Sequence, residues 1–368
     1  MTDAPEAIVA ETELDLEATE EVRADAEALE EEGFEAEGYE EEALEDEGDV
    51  VESDVDESVL ALGAWEPHVH QALTDLIRKH GVESEGYDPR RPPLAIIDCD
   101  DTLIHNDLGE AMLRFMVTRR RLRTDRGFWH VLPDKMGRDA ITAAYKAVAG
   151  RSDAEVMDTA AYRRYRAGLI GVYENLRESN IEEAYLFAAR ILKGLHERTV
   201  AELVEEVIDY ELSRPLGTED IEDGPPFSGM GVPSGIRVYL EMLDLLRALE
   251  AYGFQTWIVS ASNQYVVRAL ARRLNFPEER VLGIELQMQG GSMTDRPVEP
   301  WPVGEGKLEA FLDTVGRSPL LVIGDSMGDF ELLENCEELS IVIDKGDENL
   351  SEKAEDLGWL MQREPLSV

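Results

Sequence analysis

The stretch Leu94-Ala-Ile-Ile-Asp-Cys-Asp-Asp-Thr-Leu103 decides the fold. Four apolar residues run straight into Asp98. Such a run suits a strand of a parallel sheet that is sealed on both faces. Asp98, Asp100 and Asp101 then crowd together at its C-terminal end. Open α/β sheets bind their ligands there. Three carboxylates so close repel one another unless positive charge sits among them, and a hard divalent cation supplies it.

Downstream of this strand the periodicity turns helical. Asp107-Leu-Gly-Glu-Ala-Met-Leu-Arg-Phe-Met-Val117 begins it, and helical patterns continue through residues 137–149, 153–176, 181–192 and 197–212. Strand-like alternation is nearly absent between 104 and 230, so this segment reads as a helical insert. Pro225, Pro226, Gly229, Gly231 and Pro233 mark its exit. A long helix is expected over 236–250, then a short buried strand, Thr256-Trp-Ile-Val-Ser260. A helix from about Asn263 to Leu274 follows, and then a strand over 281–288 with a hairpin turn at Gly290-Gly291. Lys307 opens another helix. Leu320-Leu-Val-Ile-Gly-Asp325 and Leu339-Ser-Ile-Val-Ile-Asp344 read as the last buried strands. The order predicts a Rossmann-like α/β core with a parallel sheet and a helical domain inserted after strand one.

Upstream, residues 1–60 hold 26 acidic residues and one basic residue, Arg23. Their apolar residues are small and scattered, so an acidic disordered tail is expected, reaching to about residue 62. It would solubilise the chain or meet a basic partner. Residues 63–92 read as a helix over 66–80 and a proline-rich linker. The expected core is residues 93–106 together with 233–368, and the expected insert is 107–232.

The chain has 368 residues, a formal charge of −45 and two cysteines, Cys99 and Cys336. Two cysteines argue against a disulfide scaffold and for a reducing compartment. No basic run suits nucleic acid. No apolar span approaches a membrane helix, and no charged and apolar leader opens the sequence. These features together predict a cytoplasmic protein with no nucleic-acid or membrane partner.

Four groups stand at strand ends or helix starts: Asp98-Cys-Asp-Asp-Thr102, Ser260, Lys307 and Gly324-Asp-Ser-Met-Gly-Asp329. In this order they resemble the four motifs of the haloacid dehalogenase-like superfamily, which consists mostly of phosphatases. The insert position and Val259-Ser-Ala-Ser262 resemble the branch of phosphoserine and phosphorylcholine phosphatases. Two departures from that branch are the longer insert and Ala261, where a glycine commonly follows the serine.

The resemblance implies a role for each group. Asp98 is the nucleophile and becomes an aspartyl phosphate. Asp100 protonates the leaving oxygen and later activates water. Thr102 steadies the loop, Ser260 binds a phosphoryl oxygen, and Lys307 offsets charge on phosphate and Asp98. Asp98, the Asp100 carbonyl and Asp325 hold Mg²⁺. Asp329 holds Lys307 or a metal-bound water. Asp107 and Glu110 stand where a substrate amino group is met; read from the residues alone, they are equally charges at a helix N-terminus that favour its dipole. The implied substrate is a small phosphorylated metabolite, including amino- or choline-bearing esters such as phosphoserine or phosphocholine. Phosphotransfer, or a lipid-head or protein phosphatase activity, is the alternative on the same machinery, and a non-catalytic binding protein comes after those.

Two features hold without the resemblance. Asp98 and Asp100 are two apart on extended backbone and so share a face. Carboxylates without a Cys/His cluster favour Mg²⁺ over zinc.

Overall fold

In the computed structural model, residues 59–368 are described, apart from Arg126 and Glu364. The first described element is helix α1 (Pro67–His80), which opens with proline at its first turn. Strand β1 (Leu94–Ile97) follows and is buried throughout. Its side chains alternate between two apolar clusters. Ala95 and Ile97 join one, and Leu94 and Ile96 join the other. Both faces of the sheet are therefore covered, which is why the strand reads as a continuous apolar run.

The chain then makes a tight turn into a two-residue strand, β2 (Ile104–His105), and enters helix α2 (Leu108–Thr118). Five more helices follow: α3 (Arg138–Val148), α4 (Asp153–Val156), α5 (Ala160–Ser179), α6 (Ile181–Arg190) and α7 (Glu197–Ser213). The sequence pattern over 153–176 is divided in two because Thr159 caps a new helix, accepting from Tyr162 N. α6 packs on the central sheet through β6, and one apolar cluster runs from the insert into the core.

The insert is not wholly helical. Strands β3 (Gly217–Ile221) and β4 (Met230–Ser234) form an antiparallel hairpin. β3 is mostly exposed, so it lacks the apolar alternation that would reveal it in the sequence. The long helix expected over 236–250 begins later, as α8 (Leu240–Ala251). Before it, β5 (Arg237–Val238) pairs antiparallel with β2. The two strands that lead into and out of the insert are thus bonded together. Asn106 reinforces the junction by donating its side-chain amide to Gly235 O at 2.7 Å.

The core then continues with β6 (Gln255–Asn263), α9 (Gln264–Arg273) and β7 (Val281–Ile284). The strand expected over 281–288 breaks after Ile284. β8 (Leu286–Gln289) leaves the sheet to form a hairpin with β9 (Ser292–Pro297). Helix α10 (Glu305–Val315), β10 (Leu321–Gly324), α11 (Phe330–Glu334) and β11 (Leu339–Ile343) complete the expected pattern. Two further elements follow, α12 (Glu348–Leu357) and β12 (Leu360–Gln362). The central sheet has six strands in the order β12-β11-β10-β1-β6-β7, all parallel.

The expected tail lies outside the described residues up to 58. Its boundary at 62 is too late, because Leu60 is buried in the core and Val59 packs against it. Glu241, at the start of α8, holds the two ends of the described chain together. Its Oε1 accepts from Ala64 N and its Oε2 from Ser367 N, both at 2.8 Å. Gln362 adds bonds to Glu66 N and Ala64 O. Burial pushes the Glu241 carboxyl up, but the backbone donors outweigh it and hold it below the ordinary range.

A depressed carboxyl stabilises the fold above its unfolded value, and that contribution is lost as pH falls through the folded value. Glu241→Gln keeps one acceptor and loses the charge. It is expected to lower unfolding stability by about 1–3 kcal/mol at pH 7. The gap should shrink on acidification below about pH 4. Denaturant unfolding of both proteins at the two pH values checks this, and an equal gap at both would count against the carboxylate clamp.

Candidate active site

β1 ends at Ile97, and the next residue keeps the sheet's pairing, with Asp98 N donating to Ile323 O at 2.9 Å. Asp98 is thereby fixed at the carboxyl edge of the sheet, beside the end of β10. The chain then turns sharply, with Asp101 at φ 56° and Asn106 at φ 67°. Asp101 Oδ1 accepts from Asn106 N and from Lys345 Nζ, so this third carboxylate holds the turn.

Lys307 comes from the first turn of α10 and is 3% exposed. Its ammonium donates to Asp98 Oδ1 at 2.8 Å and to Asp329 Oδ1 at 2.7 Å. Burial pulls this lysine down, but Asp329 and Asp98 outweigh it and hold it well above its ordinary range. Asp329 is further committed, since Asp325 N and Ser326 N donate to its Oδ2 at 3.3 and 3.4 Å. Gly324 permits this turn: a Cβ there would lie 2.6 Å from Asp329 Cβ. Thr102 Oγ1 donates to Asp325 Oδ1 at 3.1 Å and so ties the first motif to the fourth.

Asp98, Asp325 and Asp329 each place a carboxylate oxygen within 4.8 Å of the others. One lysine does not balance three carboxylates. Burial, then Asp329, push the Asp98 carboxyl up to about 8 against the pull of Lys307. Burial, then Asp98, push Asp325 well above its ordinary range. A hard cation would relieve both, and the donors are all oxygen, so the group fits a divalent metal. Among the described residues nothing donates to Asp98 Oδ2 or Asp325 Oδ2, whereas Asp329 is spent on Lys307 and the turn. Asp98 and Asp325 therefore each keep one carboxylate oxygen unengaged among the described residues.

Asp100 lies beside this group. Ser260 Oγ and Ser262 Oγ donate to its Oδ2 at 3.1 and 2.8 Å, and Leu108 N to its Oδ1 at 2.8 Å. Burial raises its carboxyl, and these three donors oppose the rise. Ser260 thus stands beside Asp100 at the carboxyl end of the sheet. Ser262 is an addition; its place two residues beyond Ser260, on the same strand face, was the available signal.

The two acidic residues after the first motif fare differently. Asp107 caps α2 by accepting from Glu110 N at 2.7 Å, and it also lines the catalytic pocket. Glu110 is already paired: Tyr173 donates to Oε1 at 2.8 Å and Arg114 to Oε2 at 3.0 Å. Of the tyrosines of the insert, Tyr145, Tyr162 and Tyr165 pack among themselves. Tyr185 does line the pocket, a cleft of about 600 Å³ that also holds Asp98, Asp100, Lys307 and Asp325. Cys99 is buried, and burial pushes its thiol well up, so it offers no thiolate. Among the described residues no helix is long and apolar enough to cross a membrane.

A family profile described as haloacid dehalogenase-like hydrolase matches residues 95–334. A solved structure of a conserved, functionally unknown protein from Anaerococcus prevotii DSM 20548 superposes with a TM-score of 0.73 at 25% identity. It covers 83% of this chain and 94% of that one. A protein of unknown function from Bordetella pertussis Tohama I gives 0.48 at 19% identity, over 74% of this chain and 98% of that one. A phosphoserine phosphohydrolase-like protein from Francisella tularensis subsp. tularensis SCHU S4 gives 0.41 at 16%, over 74% and 96%. No curated protein matches the chain.

Proposed function

This chain belongs to the haloacid dehalogenase-like hydrolases, and from that premise we propose that it is a Mg²⁺-dependent phosphatase of small phosphomonoesters. The observation that carries the reading is the joint placement of Asp98, Lys307 and Asp325 at one sheet edge, with Asp100 two residues on. A carboxylate attacking an anionic phosphate needs positive charge against both. Mg²⁺, bound by Asp98, Asp325 and the Asp100 carbonyl, would supply that charge.

The chain's own residues do the rest. Asp98 Oδ2, with no hydrogen-bond donor among the described residues, forms a bond to phosphorus as the ester oxygen leaves. Lys307 keeps Asp98 oriented by holding its other oxygen. Asp100 gives its proton to the leaving oxygen, then takes one from the water that cleaves the acyl phosphate. Phosphate departs and Asp98 is restored. Ser260, whose hydroxyl donates to Asp100 in the free enzyme, would turn it to a phosphoryl oxygen. An amino- or choline-bearing ester would depend on Asp107, since Glu110 is already paired.

The full chain is expected to hydrolyse p-nitrophenyl phosphate in Mg²⁺, to lose that activity on chelation, and to regain it when Mg²⁺ is returned. No hydrolysis with Mg²⁺ present, or hydrolysis indifferent to chelation, would overturn the reading.

A further inference from the structure

Asn263 ends β6 and begins α9. Its Oδ1 accepts from Tyr265 N at 3.0 Å and caps the helix. That bond fixes the orientation of the amide, so the other end is the Nδ2 donor. It has no acceptor among the described residues, although Asn263 is 4% exposed. A buried donor without a partner is costly, and native proteins usually satisfy it.

Asn263 lines a cavity of about 10 Å³ between α2, α6 and the end of β6. That is room for one group the size of a water. The cavity adjoins the catalytic pocket, with Asp107, Tyr185 and Ala261 lining both. Its wall is tight, since a Cβ on Gly109 would lie 2.5 Å from Ser262 Oγ.

The polar groups around this space make two unmet demands. Asn263 Nδ2 needs an acceptor. Asp107 uses Oδ1 on Glu110 N, and nothing among the described residues donates to its Oδ2. Of the other polar neighbours, Glu110 is engaged with Tyr173 and Arg114, and Ser262 with Asp100, whereas the Tyr185 hydroxyl, on the wall shared with the catalytic pocket, has no partner among the described residues.

Four kinds of small group can be weighed against these demands. An ammonium has no lone pair for Asn263. A carboxylate would face Asp107 and Glu110. A methyl leaves both demands unmet. A hydroxyl accepts one hydrogen bond and donates one. We propose that this cavity is the distal end of the substrate site and takes a hydroxyl of a short polyol phosphate, held between Asn263 Nδ2 and Asp107. The proposal rests on the phosphomonoesterase reading and names its substrate class.

The test compares kcat/KM of the full chain in Mg²⁺ for three esters of equal length: glycerol phosphate, butyl phosphate and 3-aminopropyl phosphate. p-Nitrophenyl phosphate serves as an ester without such a tail. Sites that hydrogen-bond a substrate hydroxyl discriminate strongly against analogues lacking it. Glycerol phosphate is expected to exceed the other two by about tenfold or more. Asn263→Asp keeps the capping oxygen and replaces the donor with an acceptor. It should lower the ratio of glycerol phosphate to 3-aminopropyl phosphate by about tenfold or more.

Equal kcat/KM for the three alkyl esters in the natural protein overturns the subsite, whether or not the variant folds. So does an unchanged ratio in a folded Asn263→Asp protein. In both cases p-nitrophenyl phosphate is still hydrolysed, so the phosphatase reading survives. Hydrolysis of none of the four esters overturns that reading and the subsite together.

Discussion

Asp98→Asn is expected to abolish turnover, by about 10⁴-fold or more in kcat, while leaving the fold intact. The side chain sits at the end of β1, and its backbone amide continues the sheet through Ile323 O. Asparagine has nearly the same volume and can still accept the bond from Lys307 Nζ through its own oxygen. The oxygen that is lost is the nucleophile. The change also removes one charge from the group formed with Asp325 and Asp329. Thermal unfolding of the metal-free variant is therefore expected to occur at no lower temperature than that of the natural protein. A folded variant that keeps substantial activity would mean that another group, or water, attacks phosphorus. A variant that unfolds at much lower temperature would mean that the Asp98 charge is needed to pair Lys307, against the balance drawn here.

Asp100→Asn is expected to act on a different step. Its backbone is unchanged, and an asparagine oxygen can still accept from Leu108 N. The two serine hydroxyls that now donate to Asp100 Oδ2 can rotate to accept from the new amide. What disappears is a proton that can be given and taken back. The loss should fall on kcat, by about 10²–10⁴-fold, as for other general acid–base groups. It should be smaller for p-nitrophenyl phosphate than for an alkyl phosphate, because a good leaving oxygen needs protonation less. Rates on both esters measure this. Equal losses on the two would assign Asp100 a positioning role rather than proton transfer.

These expectations depend on residues that were readable in the sequence, and the reason is physical. β1, β10 and the main part of β6 are interior strands of a parallel sheet, so burial on both faces writes them as short apolar runs. The polar residue that ends each run stands at the edge where ligands bind. Asp98, Ser260 and Asp325 could be placed for that reason, and Lys307 and Asp329 followed from motif order.

Features that depend on pairing between distant segments left no local trace. β2 and β5 have two residues each and meet across the whole insert. The β3 strand of the hairpin is largely exposed and shows no alternation. Glu110 looked available for a substrate cation because its partner Tyr173 lies 63 residues away, although Arg114, one helical turn on, was a local sign of its pairing. Other signals were present and went unread. Ser262 shares a strand face with Ser260. Asp347 and Gly358 bracket α12 as caps. The proposed tail boundary at 62 passed over Leu60, whose side chain is buried against the core.

The central claim is that Asp98 carries the phosphoryl group between substrate and water. Mass spectrometry of the full chain, quenched in acid during steady turnover of a phosphomonoester with Mg²⁺, tests it most directly. The expected result is a phosphoryl adduct on the peptide containing Asp98, absent from the Asp98→Asn protein. Steady hydrolysis with no adduct, under quench conditions that preserve one in an established aspartyl phosphatase, would contradict the claim, as would an adduct on any other residue.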